Sequence, residues 1–262
     1  MRESCCQFGP QRQLAGILTE PAAEARAAVV VLVSAGITPK FGPFRLYAEL
    51  ARRLARDGFR TLRFDLGGIG DSGQSYPGAD LQERTHFELS AALDYLGERF
   101  ELRSITLAGL CSGAEDSLRH AARDARVSGV VMIDPFAYRT PGFAWRHLRY
   151  RATRRLLRAV GLYRPPASTG EAALVNYQHM AHAESSRLVP ALLERKTRLH
   201  FVYTGGMREH FNHPGQLRAM FRGIELPASV KLDHFPRLDH TQLLERDRRT
   251  LIEAIARGLT DG

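Results

Sequence analysis

Cysteine is scarce in this chain of 262 residues, which contains three. Cys5 and Cys6 are adjacent, and Cys111 lies far from both. This spacing matches neither a disulfide framework, nor a metal site, nor the two-residue gap of a redox pair. We therefore expect three reduced thiols.

Long apolar runs are also absent. No segment approaches about 18 uninterrupted apolar residues, the length that predicts a membrane-spanning helix. The first residues, MRESCCQFGPQRQL, lack an apolar stretch of signal-peptide length. Hydrophobic residues make up 44% of the chain and charged residues 25%, which is typical of soluble globular proteins. We expect a soluble, cytoplasmic protein.

Acidic residues are missing from residues 136–166, which hold eight arginines and supply most of the net charge of +9. A solvated helix face is the commonest meaning of such a run. Two alternatives stay open: a surface for anionic lipid headgroups at the inner face of the membrane, and a docking site for an acidic carrier protein. No recognition motif indicates a nucleic acid partner. The eight residues are Arg139, Arg146, Arg149, Arg151, Arg154, Arg155, Arg158 and Arg164.

Strand patterns alternate with helix patterns along most of the chain. This alternation predicts an α/β fold in one domain over residues 1–262, with a mostly parallel sheet flanked by helices. After an N-terminal hairpin, strands are predicted at 27–34, 59–65, 104–109, 127–134, 198–204 and 228–235. Helices are predicted at 44–58, 81–100, 112–123, near 214–221 and from about 241.

Residues 136–197 interrupt this alternation and are too long for an ordinary crossover connection. Within them, apolar residues recur at intervals of three and four, which predicts a helix. We expect an inserted helical cap. The apolar residues are Trp145, Leu148, Ala152, Leu156 and Ala159.

The stretch ITLAGLCSGAED offers a thiol and a hydroxyl side by side. Gly109-Leu110-Cys111-Ser112-Gly113 lies between a predicted strand and a predicted helix. Small residues two positions either side of the nucleophile allow the tight, strained turn of a nucleophile elbow. Centring the elbow on Ser112 would place Leu110 where it crowds the turn, so the spacing favours Cys111, with the Ser112 N–H facing an oxyanion. A buried cysteine in an ordinary glycine-flanked turn is the alternative.

A histidine follows in the order that such a nucleophile requires. In FPRLDHTQLL, Asp239 and His240 come after the last predicted strand and before the terminal helix. His240 is our candidate general base. A histidine at a helix N-terminus, with Asp239 as the helix cap, is the alternative.

In these features the chain resembles the α/β-hydrolase superfamily over nearly its whole length. LRFDLGGIGDSG (62–73), the elbow and DHTQLL are most similar to uncharacterised serine-aminopeptidase-like hydrolases, including those associated with bacterial exosortase and exopolysaccharide systems. The resemblance implies an α/β-hydrolase fold. Cysteine at the elbow, where most relatives have serine, is similar to dienelactone hydrolase, and it leaves acyl transfer open beside hydrolysis.

The resemblance also implies a second oxyanion donor and an acid. In VLVSAGITPKFGPF, alignment points to the backbone N–H of Ile37, although the register can slip by one residue and a plain glycine turn is an alternative. The usual place for the acid, after residues 198–204, offers no clean match, with Glu209 as its nearest carboxylate. The other known place offers Asp134 in VVMIDPF. We prefer Asp134 to Glu209.

Two further motifs resemble ligand sites but lack the context that such sites require. Gly68, Gly70 and Gly73 match a dinucleotide-binding pattern, but no helix follows them and they come after the second strand of the parallel series. His210 and His213 are spaced like metal ligands but have no third ligand nearby. We expect neither a cofactor nor a metal.

Together these residues predict a hydrolase of ester or thioester bonds that acts through an acyl-enzyme, with Cys111, His240 and a carboxylate. The expected substrate is a small acyl ester or thioester. An acyltransferase with the same triad is one alternative. The other is a non-catalytic binding protein that uses the hydrolase fold and its basic cap.

Overall fold

The computed structural model describes residues 1–162 and 179–260. Its strands are β1 (Arg2–Phe8), β2 (Leu14–Glu20), β3 (Ala28–Val33), β4 (Arg60–Phe64), β5 (Ser104–Leu110), β6 (Val127–Ile133), β7 (Arg198–Thr204) and β8 (Val230–Phe235). Its helices are α1 (Leu46–Arg56), α2 (Leu81–Gly97), α3 (Ser112–Arg123), α4 (Pro141–Ala159), α5 (His182–Glu194), α6 (Gly215–Met220) and α7 (Glu245–Thr260).

The strands form one sheet in the order β1-β2-β4-β3-β5-β6-β7-β8. β1 and β2 form the predicted antiparallel hairpin, β2 pairs antiparallel with β4, and the pairs from β4 to β8 are parallel. The predicted fold class is therefore confirmed. The chain runs from β3 outward to β4 and then crosses back to β5, so the carboxyl ends of β3 and β5 flank a topological switch point, where α/β sheets bind their ligands.

The central strand β3 shows why the core lies on both faces of the sheet. Its sequence, AVVVLV, is apolar throughout, as expected for a strand covered on both sides. Because side chains alternate along a strand, Val29 and Val31 join the larger hydrophobic core on one face. Val30 and Leu32 join the smaller core on the other face, which α1 and α7 cover.

The predicted insertion, residues 136–197, divides into parts with different packing, and residues 163–178 within it, including Arg164, lie outside the described residues. The predicted helix is α4, which buries Phe143 alone. α5 instead packs in the layer of helices beside the sheet, where Val189 and Leu192 belong to the main core.

The largest boundary difference from the predictions lies in the terminal helix. The terminal helix α7 begins at Glu245 and not near residue 241. Asp239 accounts for the difference, because its carboxylate accepts hydrogen bonds from the backbone N–H groups of Thr241 and Leu243 and holds residues 239–243 in a turn. In the described ranges, no helix is both long enough and apolar enough to cross a membrane.

Candidate active site

The connection between β5 and α3 is a sharp, strained turn centred on Cys111. This residue has φ 54° and ψ −119°, a combination that non-glycine residues rarely adopt and that clusters at functional sites. A Cβ atom on Gly109 would lie 2.2 Å from the backbone of Gly113, and one on Gly113 would lie 2.4 Å from the carbonyl oxygen of Val33. The turn therefore requires glycine at both positions, as the sequence spacing predicts.

Ser112 is the first residue of α3, and its hydroxyl is already engaged. Its Oγ accepts a hydrogen bond of 2.9 Å from the backbone N–H of Gly36, in the loop that follows β3. Ser112 thus joins the helix that carries the elbow to the loop in which the second oxyanion donor is predicted. The Ser112 side chain is therefore held by this contact, whereas Cys111 lies at the apex of the turn.

Ile37 lies in a tight turn, in which the N–H of Thr38 donates to the carbonyl oxygen of Ala35 at 2.8 Å. Gly36 at the centre of the turn has φ 51°, and the Ile37 side chain is exposed. Because the N–H of Gly36 is held by Ser112, a register slip to Gly36 would offer a donor that is already occupied. Ile37 stays the predicted second donor.

Asp134 and His240 lie in direct contact, although 106 positions separate them in the chain. Asp134 follows β6, is fully buried and has φ 47°. Its Oδ2 accepts 2.7 Å from Nδ1 of His240 and 2.6 Å from Oγ1 of Thr204, and its Oδ1 accepts 2.6 Å from the N–H of Thr204. Three donors therefore fix the carboxylate against the imidazole.

The imidazole of His240 contacts Asp134 through Nδ1. The Cys111 thiol is among the causes that raise the pKa of this ring, and with Nδ1 occupied, Nε2 is the nitrogen left to face it. Burial by itself lowers the pKa of His240, but the hydrogen bonds and charges of Asp134 and Cys111 outweigh burial and raise that pKa to about 10. With this pKa the ring carries a proton at neutral pH.

Glu209, the alternative acid, is not at this site. Its carboxylate is exposed and lies 3.6 Å from Nε2 of His147 on α4. In the loop after β7, where the resemblance places an acid, the residue packed against His240 is Gly206. A Cβ on Gly206 would lie 2.3 Å from the Cβ of His240. A longer side chain has no room there, and the carboxylate that contacts His240 is that of Asp134, at the end of β6.

Three residues at the site carried no distinguishing signal in the sequence. Thr204 ends a predicted strand, and Gly206 belongs to a short glycine pair. Tyr47 on α1 is buried beneath the elbow, where its hydroxyl donates to the carbonyl oxygen of Val33 and accepts from the N–H of Leu110, both at 2.9 Å. Their roles depend on distant chain segments, which no local pattern reports.

A cavity of about 180 Å³ lies next to Thr204, between α4 and the ends of β7 and β8. Arg146 and Arg208 are among the residues that line it, and its walls also include Tyr150 and His234. Arg208 donates to the Tyr150 hydroxyl at 3.3 Å and to the carbonyl oxygen of Pro236 at 2.8 Å. The cavity thus has a basic wall supplied partly by α4.

A comparison with protein families matches residues 29–219 to the alpha/beta hydrolase fold family. The matched region contains the elbow and Asp134, and His240 follows it. The match covers most of the chain.

Solved structures share this fold at low sequence identity. An alpha-beta serine hydrolase homologue from Coxiella burnetii is 18% identical with a TM-score of 0.61, over 98% of this chain and 97% of that one. A thermophilic esterase from Thermogutta terrifontis is 19% identical with a TM-score of 0.60, over 100% and 99%. An esterase from Pyrococcus furiosus is 15% identical with a TM-score of 0.62, over 99% and 91%. At these identities the likeness shows the fold alone.

Proposed function

Since the chain belongs to the alpha/beta hydrolase fold family, we propose that it hydrolyses an ester or thioester bond with a Cys111–His240–Asp134 triad. The observation that carries this proposal is the arrangement of Asp134, His240 and Cys111 at the site. The buried carboxylate of Asp134 holds Nδ1 of His240 at 2.7 Å, and Cys111, at the apex of a strained turn, is among the groups that raise the pKa of that ring.

In the first half of the reaction, the Cys111 thiolate attacks the carbonyl carbon of the substrate. The carbonyl π electrons move to oxygen, and the N–H groups of Ser112 and Ile37 are the candidate donors to that oxyanion. His240, protonated at neutral pH, gives its proton to the leaving alcohol or thiol as the bond to it breaks. The product is an acyl-thioester on Cys111.

In the second half, His240 acts as a base toward water. Acylation removes the thiolate charge of Cys111, and that charge is one of the causes that raise the pKa of His240. The pKa therefore falls in the acyl-enzyme, and the neutral ring can take a proton from the attacking water. Collapse of the second tetrahedral intermediate releases the acid and restores the thiolate–imidazolium pair.

The test uses p-nitrophenyl esters and acyl thioesters of graded chain length. We expect turnover in the wild type and none above background in Cys111→Ala, with an acyl adduct on Cys111 visible by intact-protein mass. Absence of both turnover and a burst in the wild type would favour the binding-protein alternative. An adduct that persists in water but clears on addition of an alcohol, amine or thiol would favour the acyltransferase.

A labelling experiment separates the two candidate nucleophiles. Iodoacetamide and a serine-directed phosphonate are applied in parallel, and the modified residue is mapped by mass spectrometry. We expect alkylation of Cys111, because Ser112 Oγ is turned toward Gly36. Phosphonate on Ser112 would contradict the proposal.

A further inference from the structure

The orientation of α4 is fixed by contacts along one of its faces. Phe143 is buried at the start of the helix. Further along, Nε of Arg146 donates to Oδ1 of Asn212 at 2.9 Å, and Tyr150 accepts from Arg208. These residues recur at intervals of three and four, so one face of α4 is directed at the body of the protein.

The opposite face of α4 is apolar and exposed, which is the reverse of the usual arrangement, in which an apolar stripe faces the core. Trp145, Leu148 and Leu156 are 61%, 60% and 65% exposed, and Ala152 and Ala159 between them are exposed as well. These five residues, called here the outward stripe, have no covering element among the described parts of the chain.

Positive charge flanks the outward stripe. At about 100° per residue, Arg149 and Arg155 lie about 60° to either side of Ala152, the centre of the stripe. α4 contains six arginines and no acidic residue. An apolar stripe with tryptophan and leucine between rows of arginine is the composition of helices that lie in the interface of an anionic membrane.

We propose that α4 is a docking surface for an anionic lipid membrane, with the outward stripe in the acyl-chain boundary and the flanking arginines at the headgroups. Charge complementarity favours this occupant. A second copy of the chain, related by a two-fold axis through the stripe, would place arginine against arginine. An acidic protein would satisfy the arginines, but the apolar residues at the centre of the face favour a partner with an apolar interior.

Trp145 is the only tryptophan in the chain, so its fluorescence reports on the stripe alone. We expect the emission of Trp145 to shift to shorter wavelengths with phosphatidylglycerol vesicles and to be quenched by brominated acyl chains. Phosphatidylcholine vesicles and high salt should weaken the response, since charge attraction is screened. Cys111→Ala should bind vesicles as the wild type does, which keeps this test separate from the proposed function.

Two double variants keep Trp145 as the reporter and divide the surface into its components. Arg149→Gln with Arg155→Gln should weaken vesicle binding about 30-fold, from the contribution of each arginine near an anionic surface. Leu148→Gln with Leu156→Gln should weaken it about 100-fold, through lost apolar burial.

Matched controls lie elsewhere on the surface. Leu81 on α2 is 65% exposed, the same as Leu156, and Arg222 is exposed outside α4. Leu81→Gln and Arg222→Gln should bind vesicles like the wild type. All six substituted positions are at the surface, and thermal melting checks that each of the four variants is folded.

Three outcomes would overturn the proposal: no blue shift with phosphatidylglycerol vesicles, binding that survives the double leucine variant unchanged, or controls that weaken binding as much as the α4 variants do. Two further outcomes would overturn it by identifying another occupant. A concentration-dependent dimer that the double leucine variant abolishes would identify a second copy, and a blue shift with polyglutamate but not with vesicles would identify an acidic protein.

Discussion

The Asp134→Asn variant tests which of the two candidate carboxylates, Asp134 or Glu209, supports His240. Asp134 is fully buried and accepts two hydrogen bonds from Thr204 and one from His240. Asparagine has the same shape but presents one oxygen and one NH₂ group, so either Thr204 or His240 meets a donor where it had an acceptor. The negative charge beside the imidazole is removed as well.

The size of the effect follows from the lost contact. A hydrogen bond to a charged group contributes about 1.5–3 kcal/mol, and the imidazolium loses this stabilisation relative to the neutral ring. Since about 1.4 kcal/mol is tenfold in an equilibrium constant, the ratio of the thiolate–imidazolium pair to the neutral pair falls about 10- to 100-fold. Because an unassisted thiol is still a few per cent thiolate at pH 7, we expect alkylation of Cys111 to slow by about tenfold.

The assay is the rate of Cys111 alkylation by iodoacetamide at neutral pH, which requires no knowledge of the substrate. Glu209→Gln is the matched control, because Glu209 is exposed and pairs with His147; its rate should stay within about twofold of the wild type. An unchanged rate in Asp134→Asn, or an equal loss in Glu209→Gln, would refute the role assigned to Asp134.

Three further predictions concern the surroundings of the triad. Gly206→Ala places a Cβ 2.3 Å from the Cβ of His240 and should lower kcat/KM at least about tenfold. Gly97→Ala is the control, because nothing lies within 4 Å of a Cβ at that position, and its kcat/KM should stay unchanged. Equal kcat/KM values in the two variants would contradict the crowding argument. Ser112→Ala leaves the N–H of Gly36 without its acceptor and should lower kcat by up to about 100-fold while alkylation of the thiol continues; a loss of alkylation would contradict this. Because the pKa of His240 is raised from 6.5 to about 10 in the folded protein, its protonation should stabilise the fold fully below pH 6.5 and progressively less as the pH rises through about 10. The difference in Tm between wild type and His240→Ala should therefore shrink over that pH range. A difference that grows with pH would contradict this prediction.

The elbow could be predicted from sequence because its requirements are local. The glycines at 109 and 113 are needed by atoms within a few residues of Cys111 and by the end of the neighbouring strand β3. Any residue with a side chain at either position would collide with backbone. Hence the spacing alone selects Cys111 over Ser112 as the centre of the turn.

The acid could not be chosen from sequence on equally firm grounds. His240 follows β8, Asp134 follows β6, and the loop that decides between the two positions follows β7. That decision depends on how closely Gly206 packs against His240 and on the two donors that Thr204 supplies to Asp134. None of these distances appears in a motif, because the sheet order brings the residues together only after folding.

The outward stripe shows a similar limit for α4. Its period of three and four predicts a helix, but the period is the same whether the apolar face lies inward or outward. The direction is set by the other face, where Phe143 is buried, Arg146 binds Asn212 and Arg208 binds Tyr150. Those contacts are mostly polar, so hydrophobicity alone would assign the helix the wrong orientation. α4 therefore supplies a basic wall to the cavity beside Thr204, and its apolar residues stay exposed within the described part of the chain.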